Sequence, residues 1–517
     1  MTEAACLPVR RSTGGPTGMV GTAPLLVYQE DRVRVLAGLR AGRLEYADLT
    51  SWSFMDKFLA LWIDRGFFTW AGETFPSPRQ RHHVPVWFLL AAYTQLKLHT
   101  EGAFHRLPYV LQSASVLRTL GVQLGVPGGA GGFNRRHRKP RRVPVDQDTV
   151  RKFMKDTDPQ ALQAWYAVDV VAWLRAQRLF EVEGVDILDA TLLPVPDNPH
   201  YEESAVLPLT REGHYPRDGE ATVPTRCYKV TSLLHVMADG AGFLYRGVHV
   251  GPGTASALTV GETLVDVARQ VPGRGALRLL LCDREFCDGA TITRWKRQGI
   301  DMVVPLKAGM DASIDALALS RLPETVWERL PLRPREEEKV RERVAARIPD
   351  LRSWSTCEVP LVGAVVRETK TDGTLNEWVL VTTRLTLSAA QVVALYQLRT
   401  QIEERHRQFK VFWGLGEFTS PSFALVVAHI VFLLLAYTLL QAYLHVQGLA
   451  RLARRAITTL QADERAGRGA VIVYGEGAFA VFSVMEFFNI VLTLPEEARQ
   501  RLKRRVGRLL RNRSPGL

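Results

Sequence analysis

The sequence predicts an α/β protein with its sheet in the middle of the chain and helical regions on both sides. Three observations carry that expectation. Residues 277–282 and 302–306 are short, near-continuous apolar runs separated by the helical pattern 289–297. Such a strand–helix–strand unit implies parallel pairing and a buried sheet centre. Ahead of it, 54–68, 84–98 and 107–120 are apolar at helical spacing. Behind it, 396–410 (YQLRTQIEERHRQFK) reads as one helix, with Leu398, Ile402 and Phe409 toward a core and no Gly or Pro to interrupt it.

Composition bounds the function. The 46% hydrophobic and 23% charged content excludes a disordered or fibrous chain. A net charge of +13 suits a polyanionic partner, nucleic acid before an acidic membrane surface. Cys6, Cys227, Cys282, Cys287 and Cys357 are scattered, and the lone C-x4-C has no second pair beside it, so zinc is not expected. This usage fits a reduced, cytosolic compartment, and the N-terminus has no apolar stretch of signal-peptide length. Residues 423–446 are long and apolar enough to cross a bilayer. They carry His429 and Gln441 and follow a polar stripe, so a buried helix backing the sheet is expected, and no membrane partner.

In chain order, 1–25 read as a disordered tail and 26–150 as a helical domain. The Gly-rich stretch 126–133 leads into NRRHRKPRR, where Arg135, Arg136, Arg138 and Lys139 belong to a run with Lys or Arg at six of nine positions. That run is either a solvated loop tip or an arm that grips DNA phosphates. Residues 151–307 open the α/β core. A short apolar strand, 185–188, is expected to end in Asp189, and 277–282 ends in Asp283. A carboxylate at a strand end points naturally into a cleft, although such an Asp also serves as a turn former. Between them, 228–236 and 242–250 read as strands joined through Asp239 and Gly240.

Pro323, Pro331, Pro334 and the charged run 335–343 mark 308–355 as an insertion. The core resumes over 356–446. There 357–369 and 377–383 flank the hairpin signal Asp372-Gly373, and Ser388 is placed to cap the helix that follows. Residues 447–517 are expected to be mainly helical and basic.

On a helix with about 100° per residue and Tyr396 at zero, Arg399 falls at about −60°, Glu403 at about −20° and Lys410 at about −40°. A carboxylate flanked by two cations and a phenol suits a site that holds metal and phosphate together; the bland alternative is a solvated face of charge pairs. With Asp189 and Asp283, Glu403 completes three hard-oxygen ligands of the kind that bind Mg²⁺ or Mn²⁺.

Tyr396, Arg399, Glu403 and Lys410 match the spacing Y-x2-R-x3-E-x6-K throughout. On these residues the chain resembles a DDE transposase of bacterial insertion sequences, the IS-four type with the Y-R-E-K signature. Asp189-Ala190-Thr191 and Asp283-Arg284-Glu285-Phe286 resemble the family's two aspartate motifs, and Tyr228-Lys229 loosely resembles its entry to the central strands. The resemblance covers roughly residues 180–440.

It implies a ribonuclease H-like catalytic core with an insertion before the last carboxylate. It also implies Asp189, Asp283 and Glu403 as catalytic ligands of two Mg²⁺ or Mn²⁺ ions. Tyr396, Arg399 and Lys410 would hold DNA phosphates, with Lys307 either a further phosphate contact or merely an exposed strand-end lysine. The implied partners are double-stranded DNA, as terminal inverted repeats and as target, and a second copy of the chain in a homodimer. Hydrolysis at the element ends would precede attack of the 3′-hydroxyl on target DNA. Two departures stand out: Glu285 replaces a small residue, and Thr400 stands where Trp is usual. A nuclease on the same fold without strand transfer, and a transposase-derived DNA-binding protein without catalysis, are the alternatives.

Overall fold

A computed structural model describes residues 29–44, 46–50, 53–80, 84–107, 145–181, 184–217, 219–240, 242–333, 336–460, 470–475 and 478–511. The expected tail and the basic run with Arg135, Arg136, Arg138 and Lys139 lie outside them. The strands are β1 (Gln29–Glu30), β2 (Tyr46–Thr50), β3 (Val185–Pro194), β4 (Ala205–Leu209), β5 (Val223–Val236), β6 (Phe243–Pro252) and β7 (Leu279–Cys282). They continue with β8 (Asp301–Pro305), β9 (Trp327–Arg329), β10 (Val340–Leu351), β11 (Leu361–Lys370), β12 (Leu375–Thr382), β13 (Ala470–Gly475) and β14 (Ala478–Ser483).

β3 to β12 form one mixed, mostly antiparallel sheet. Its path is β4-β5-β3-β7-β8-β12-β11-β10-β9, with β6 also paired to β5. Within this sheet, β3–β7 and β7–β8 are the parallel pairs among the described strands, and the others are antiparallel. The parallel unit expected from 277–306 is therefore present, with the helix Gly289–Arg297 as its crossover. Its strand β7 is buried at all four residues, which explains why it reads as a continuous apolar run. β5 and β6 form the expected hairpin. At the second hairpin, Gly373 adopts a positive φ of 84° and the Asp372 carboxylate accepts from the Thr374 amide at 2.8 Å. Residues of 308–355 stay with the sheet: β9 and β10 extend its edge beyond β11, and the helix Asp311–Leu319 packs over β10 and β12.

Side chains alternate across the sheet, so each face has its own core. On one face, Ile187 and Leu193 of β3 join Tyr228 and Leu234 of β5 against the helices Thr400–Phe412 and Phe423–Val446. On the other, Leu188 and Leu233 pack with Leu264 of the helix Ala257–Gln270 and with Ile292 and Trp295 of Gly289–Arg297. The most apolar 18-residue stretch of the helix Phe423–Val446 has mean hydropathy 2.5, and 89% of that stretch is buried. It packs against β6 and the helices Val86–Leu98, Gln147–Asp156 and Pro159–Trp165. Being enclosed on every side, it has no polar stripe.

The end regions also carry strands, which the helical expectation for 26–150 did not include and the mainly helical one for 447–517 leaves room for. β1 and β2 pair with β14 and β13 in a four-stranded sheet ordered β1-β14-β13-β2. Val35 and Leu39 from one end pack there with Val473, Phe482 and Leu502 from the other. The apolar run 470–474 is thus a strand whose partners come from the opposite end of the chain.

Candidate active site

Strand register sets two carboxylates side by side. β3 and β7 run parallel with Leu188 opposite Cys282, so Asp189 and Asp283 leave the paired region together. The strand end expected at Leu188 is the end of this parallel pairing, not of the strand. β3 continues to Pro194 because Thr191–Leu193 keep bonding to β5, and Asp189 is paired with Ser232. Asp283 ends β7 and turns the chain: its Oδ1 accepts from the Arg284 amide at 2.7 Å.

The third carboxylate arrives on a helix, but the single helix expected over 396–410 is divided. Ala389–Gln397 begins with a Ser388–Gln391 capping box, as the N-cap reading of Ser388 anticipated. Thr400–Phe412 follows after a tighter turn, in which the amides of Leu398 and Arg399 bond to carbonyls three residues back. In that geometry residues i and i+3 eclipse. Arg399 consequently lies over Tyr396, its guanidinium carbon 5.7 Å from the ring centroid. Ile402 and Phe409 anchor the second helix in the core, Phe409 packing on Tyr437 at 4.9 Å between centroids. That anchorage turns Glu403, His406 and Lys410 toward β3.

The stripe and the two aspartates meet at one guanidinium. Arg399 Nη1 lies 3.6 Å from Asp189 Oδ1 and 4.0 Å from Asp283 Oδ2, while Nη2 donates to Glu403 Oε1. Lys410 Nζ donates to Thr191 Oγ1 at 2.8 Å, two residues beyond Asp189 on the same face of β3. Burial, joined by the charges of Asp283 and Glu403, pushes the Asp189 carboxyl up to about 7 against the opposing pull of Arg399. Burial likewise raises the Tyr396 phenol to about 12, with Arg399 opposing. Burial lowers the Lys410 ammonium, and Asp189 opposes that shift.

This donor set suits a hard divalent cation: three carboxylates around a centre of positive charge, one of them disfavoured as an anion until more positive charge is supplied. Among the described residues, no three His, Cys, Asp or Glu side chains are already gathered closely enough to share an ion. The Arg399 guanidinium stands between these three.

Other expected residues fall elsewhere. Lys307 is exposed after β8. Glu285 turns from the cluster and pairs with Lys229 at 3.2 Å. Thr400 starts its helix and donates to Gln397 O at 2.8 Å. Two residues were missed. His406 Nδ1 lies 3.5 Å from Asp189 Oδ2, and its Nε2 lies 3.2 Å from Ser232 Oγ. A signal existed: on the ideal helix His406 falls at about −80°, at the edge of the same stripe. Ser232 had none, because only the β3–β5 register sets it opposite Asp189.

Residues 182–439 match the family model described as Transposase DDE domain. Among solved structures, a piggyBac transposase synaptic complex with hairpin DNA is similar at 11% identity and a TM-score of 0.36, over 74% of this chain and 71% of that one. No curated protein matches the sequence.

Proposed function

We propose that the chain, whose residues 182–439 match the model of a transposase DDE domain, is a DNA transposase of the Y-R-E-K type. In this reading it cuts the ends of an insertion sequence and joins the freed 3′-hydroxyls to target DNA. The observation that carries the reading is the convergence of Asp189, Asp283 and Glu403 on the Arg399 guanidinium. Three carboxylates far apart in sequence have no structural need to surround one cation, whereas phosphodiester chemistry does need them together. The strand order β6-β5-β3-β7-β8, antiparallel through β3 and parallel after it, supports a ribonuclease H-like core.

Asp189, Asp283 and Glu403 are the residues that would hold two Mg²⁺ or Mn²⁺ ions. Bound there, such ions supply Lewis-acid activation of the attacking oxygen and charge neutralisation at the leaving one. The chain's own part is positioning. Arg399 presents a planar donor fork suited to a phosphate, Tyr396 buttresses it by stacking, and Lys410 adds a point charge beside Thr191. Together they orient the cut end for in-line attack. The N-terminal region 26–150, with the basic run 134–142, is the DNA-binding part in this reading. A homodimer pairs the two element ends.

The test uses the full chain, Mg²⁺, labelled element ends and a supercoiled target plasmid. Cleaved ends together with joined products are expected. Cleavage without any joined product would make the protein a nuclease, and binding without cleavage would remove the enzymatic reading.

A further inference from the structure

Asp189 has two oxygens with different neighbours. Oδ1 faces Arg399 and the carboxylate cluster at 3.6 Å, while Oδ2 faces His406 Nδ1 at 3.5 Å. The far side of the imidazole is occupied too: Nε2 lies 3.2 Å from Ser232 Oγ. Ser232 is 1% exposed and His406 7%, so water does not compete at either atom. The three residues share one face because Ser232 is the cross-strand partner of Asp189 and His406 lies one turn after Glu403.

The proton positions follow from what each group can do. A carboxylate only accepts, so the Nδ1 that faces it carries the proton. A neutral ring then has Nε2 as an acceptor, which Ser232 Oγ–H satisfies.

We infer that His406 is a positioning residue for Asp189: Ser232 fixes the imidazole, and the imidazole holds Oδ2 so that Oδ1 is presented to the divalent cation. This rests on the reading of Asp189 as a metal ligand. Partners behind a ligand fix its orientation, and losing one costs about 10–100-fold in metal affinity. Ser232 acts only through His406, so its contribution vanishes once the ring is gone.

The experiment titrates the metal-free full chain with Mn²⁺ and reads free Mn²⁺ by its paramagnetic resonance signal, without DNA or turnover. His406→Leu is expected to raise the half-saturating Mn²⁺ concentration about tenfold or more. His406→Asn, whose amide donates from nearly the place of Nδ1, should recover most of the affinity. Ser232→Ala should weaken binding less than His406→Leu, and the double variant should match His406→Leu. Thermal unfolding of each variant separates loss of the fold from loss of the contact. If His406→Leu binds as wild type, or if His406→Asn is as weak as His406→Leu, the positioning role is overturned. Asp189→Asn distinguishes the two levels: undiminished binding there would sink the metal-ligand reading itself.

Discussion

Glu285 Oε1 lies 3.2 Å from Lys229 Nζ, on the face of β5 opposite Ser232. Lys229 is buried with the Tyr215 ring 5.7 Å away. Burial disfavours the charge on this lysine, but Glu285 and Tyr215 outweigh it and hold the ammonium above its ordinary range. The extra acid beside Asp283 therefore serves a buried cation behind the sheet and leaves the cluster of three carboxylates unchanged.

Glu285→Gly should accordingly destabilise the chain. Lys229 would keep its buried charge without its carboxylate partner, with only Tyr215 left beside it, at a cost of about 1–2 kcal/mol after allowance for the half-exposed Glu285. Urea unfolding measures this, and adding Lys229→Met should recover most of the loss. Equal stability of Glu285→Gly and wild type would mean the pair contributes nothing.

Close packing behind Asp283 gives a second prediction. A Cβ on Gly261 would stand 2.7 Å from Phe286 Cε1 and 2.8 Å from Leu188 Cδ2. Phe286 belongs to the turn that follows Asp283, and Leu188 precedes Asp189. Gly261→Ala should cost about 1–3 kcal/mol by overpacking. It should also slow end cleavage at temperatures where the variant remains folded, because both aspartate backbones are displaced. Retained cleavage with lowered stability would confine the effect to packing.

Lys97 provides a pH signature far from the site. Its Nζ lies 2.8 Å from His429 Nδ1, and the other ring nitrogen lies 2.9 Å from Gly414 O. Burial lowers the Lys97 ammonium from 10.5 to about 7. Between those values the unfolded chain carries a proton that the folded chain does not, so this group makes stability rise with pH across the window. The penalty is fully present below about pH 7 and gone above the ordinary lysine range. Lys97→Met should be more stable than wild type near pH 6–7, and that advantage should shrink steadily toward pH 10. A difference independent of pH would show that Lys97 is not buried as an ammonium in the folded state.

Much of this site was legible because its parts are local. The apolar runs at β7 and β8 and the period of Gly289–Arg297 reveal a parallel unit, and the stripe from Tyr396 to Lys410 follows from helical spacing alone. Asp189 was expected at a strand end because 185–188 is the apolar part. The continuation through Thr191–Leu193 depends on pairing with β5, which no local pattern encodes. The turn at Leu398-Arg399 was also hidden, since neither residue breaks a helix by propensity. The sheet that joins the chain ends was least visible: β2 and β13 pair across more than four hundred residues, and Tyr46–Thr50 has little alternation. Ser232 escaped for the same reason, as its place opposite Asp189 exists only once β3 and β5 pair, whereas His406 at the edge of the stripe was within reach of helical spacing.

Within the stripe, Arg399 and Lys410 are expected to differ from Glu403. Arg399→Ala and Lys410→Ala should weaken the hold on the cut end and reduce joining more than first-strand cleavage, because each removes a phosphate donor and no metal ligand. Gel-shift assays with pre-cut ends read the first effect and plasmid joining reads the second. Equal loss of both steps would assign these cations to general stability of the carboxylate cluster.

The most direct measurement is end cleavage by Glu403→Gln, a change that keeps size and hydrogen bonding but removes the charge. With Mg²⁺ and labelled element ends, cleavage is expected to fall below detection while gel-shift affinity for the same DNA stays at the wild-type level. Cleavage by Glu403→Gln at the wild-type rate would contradict the assignment of Glu403, with Asp189 and Asp283, as the catalytic carboxylates.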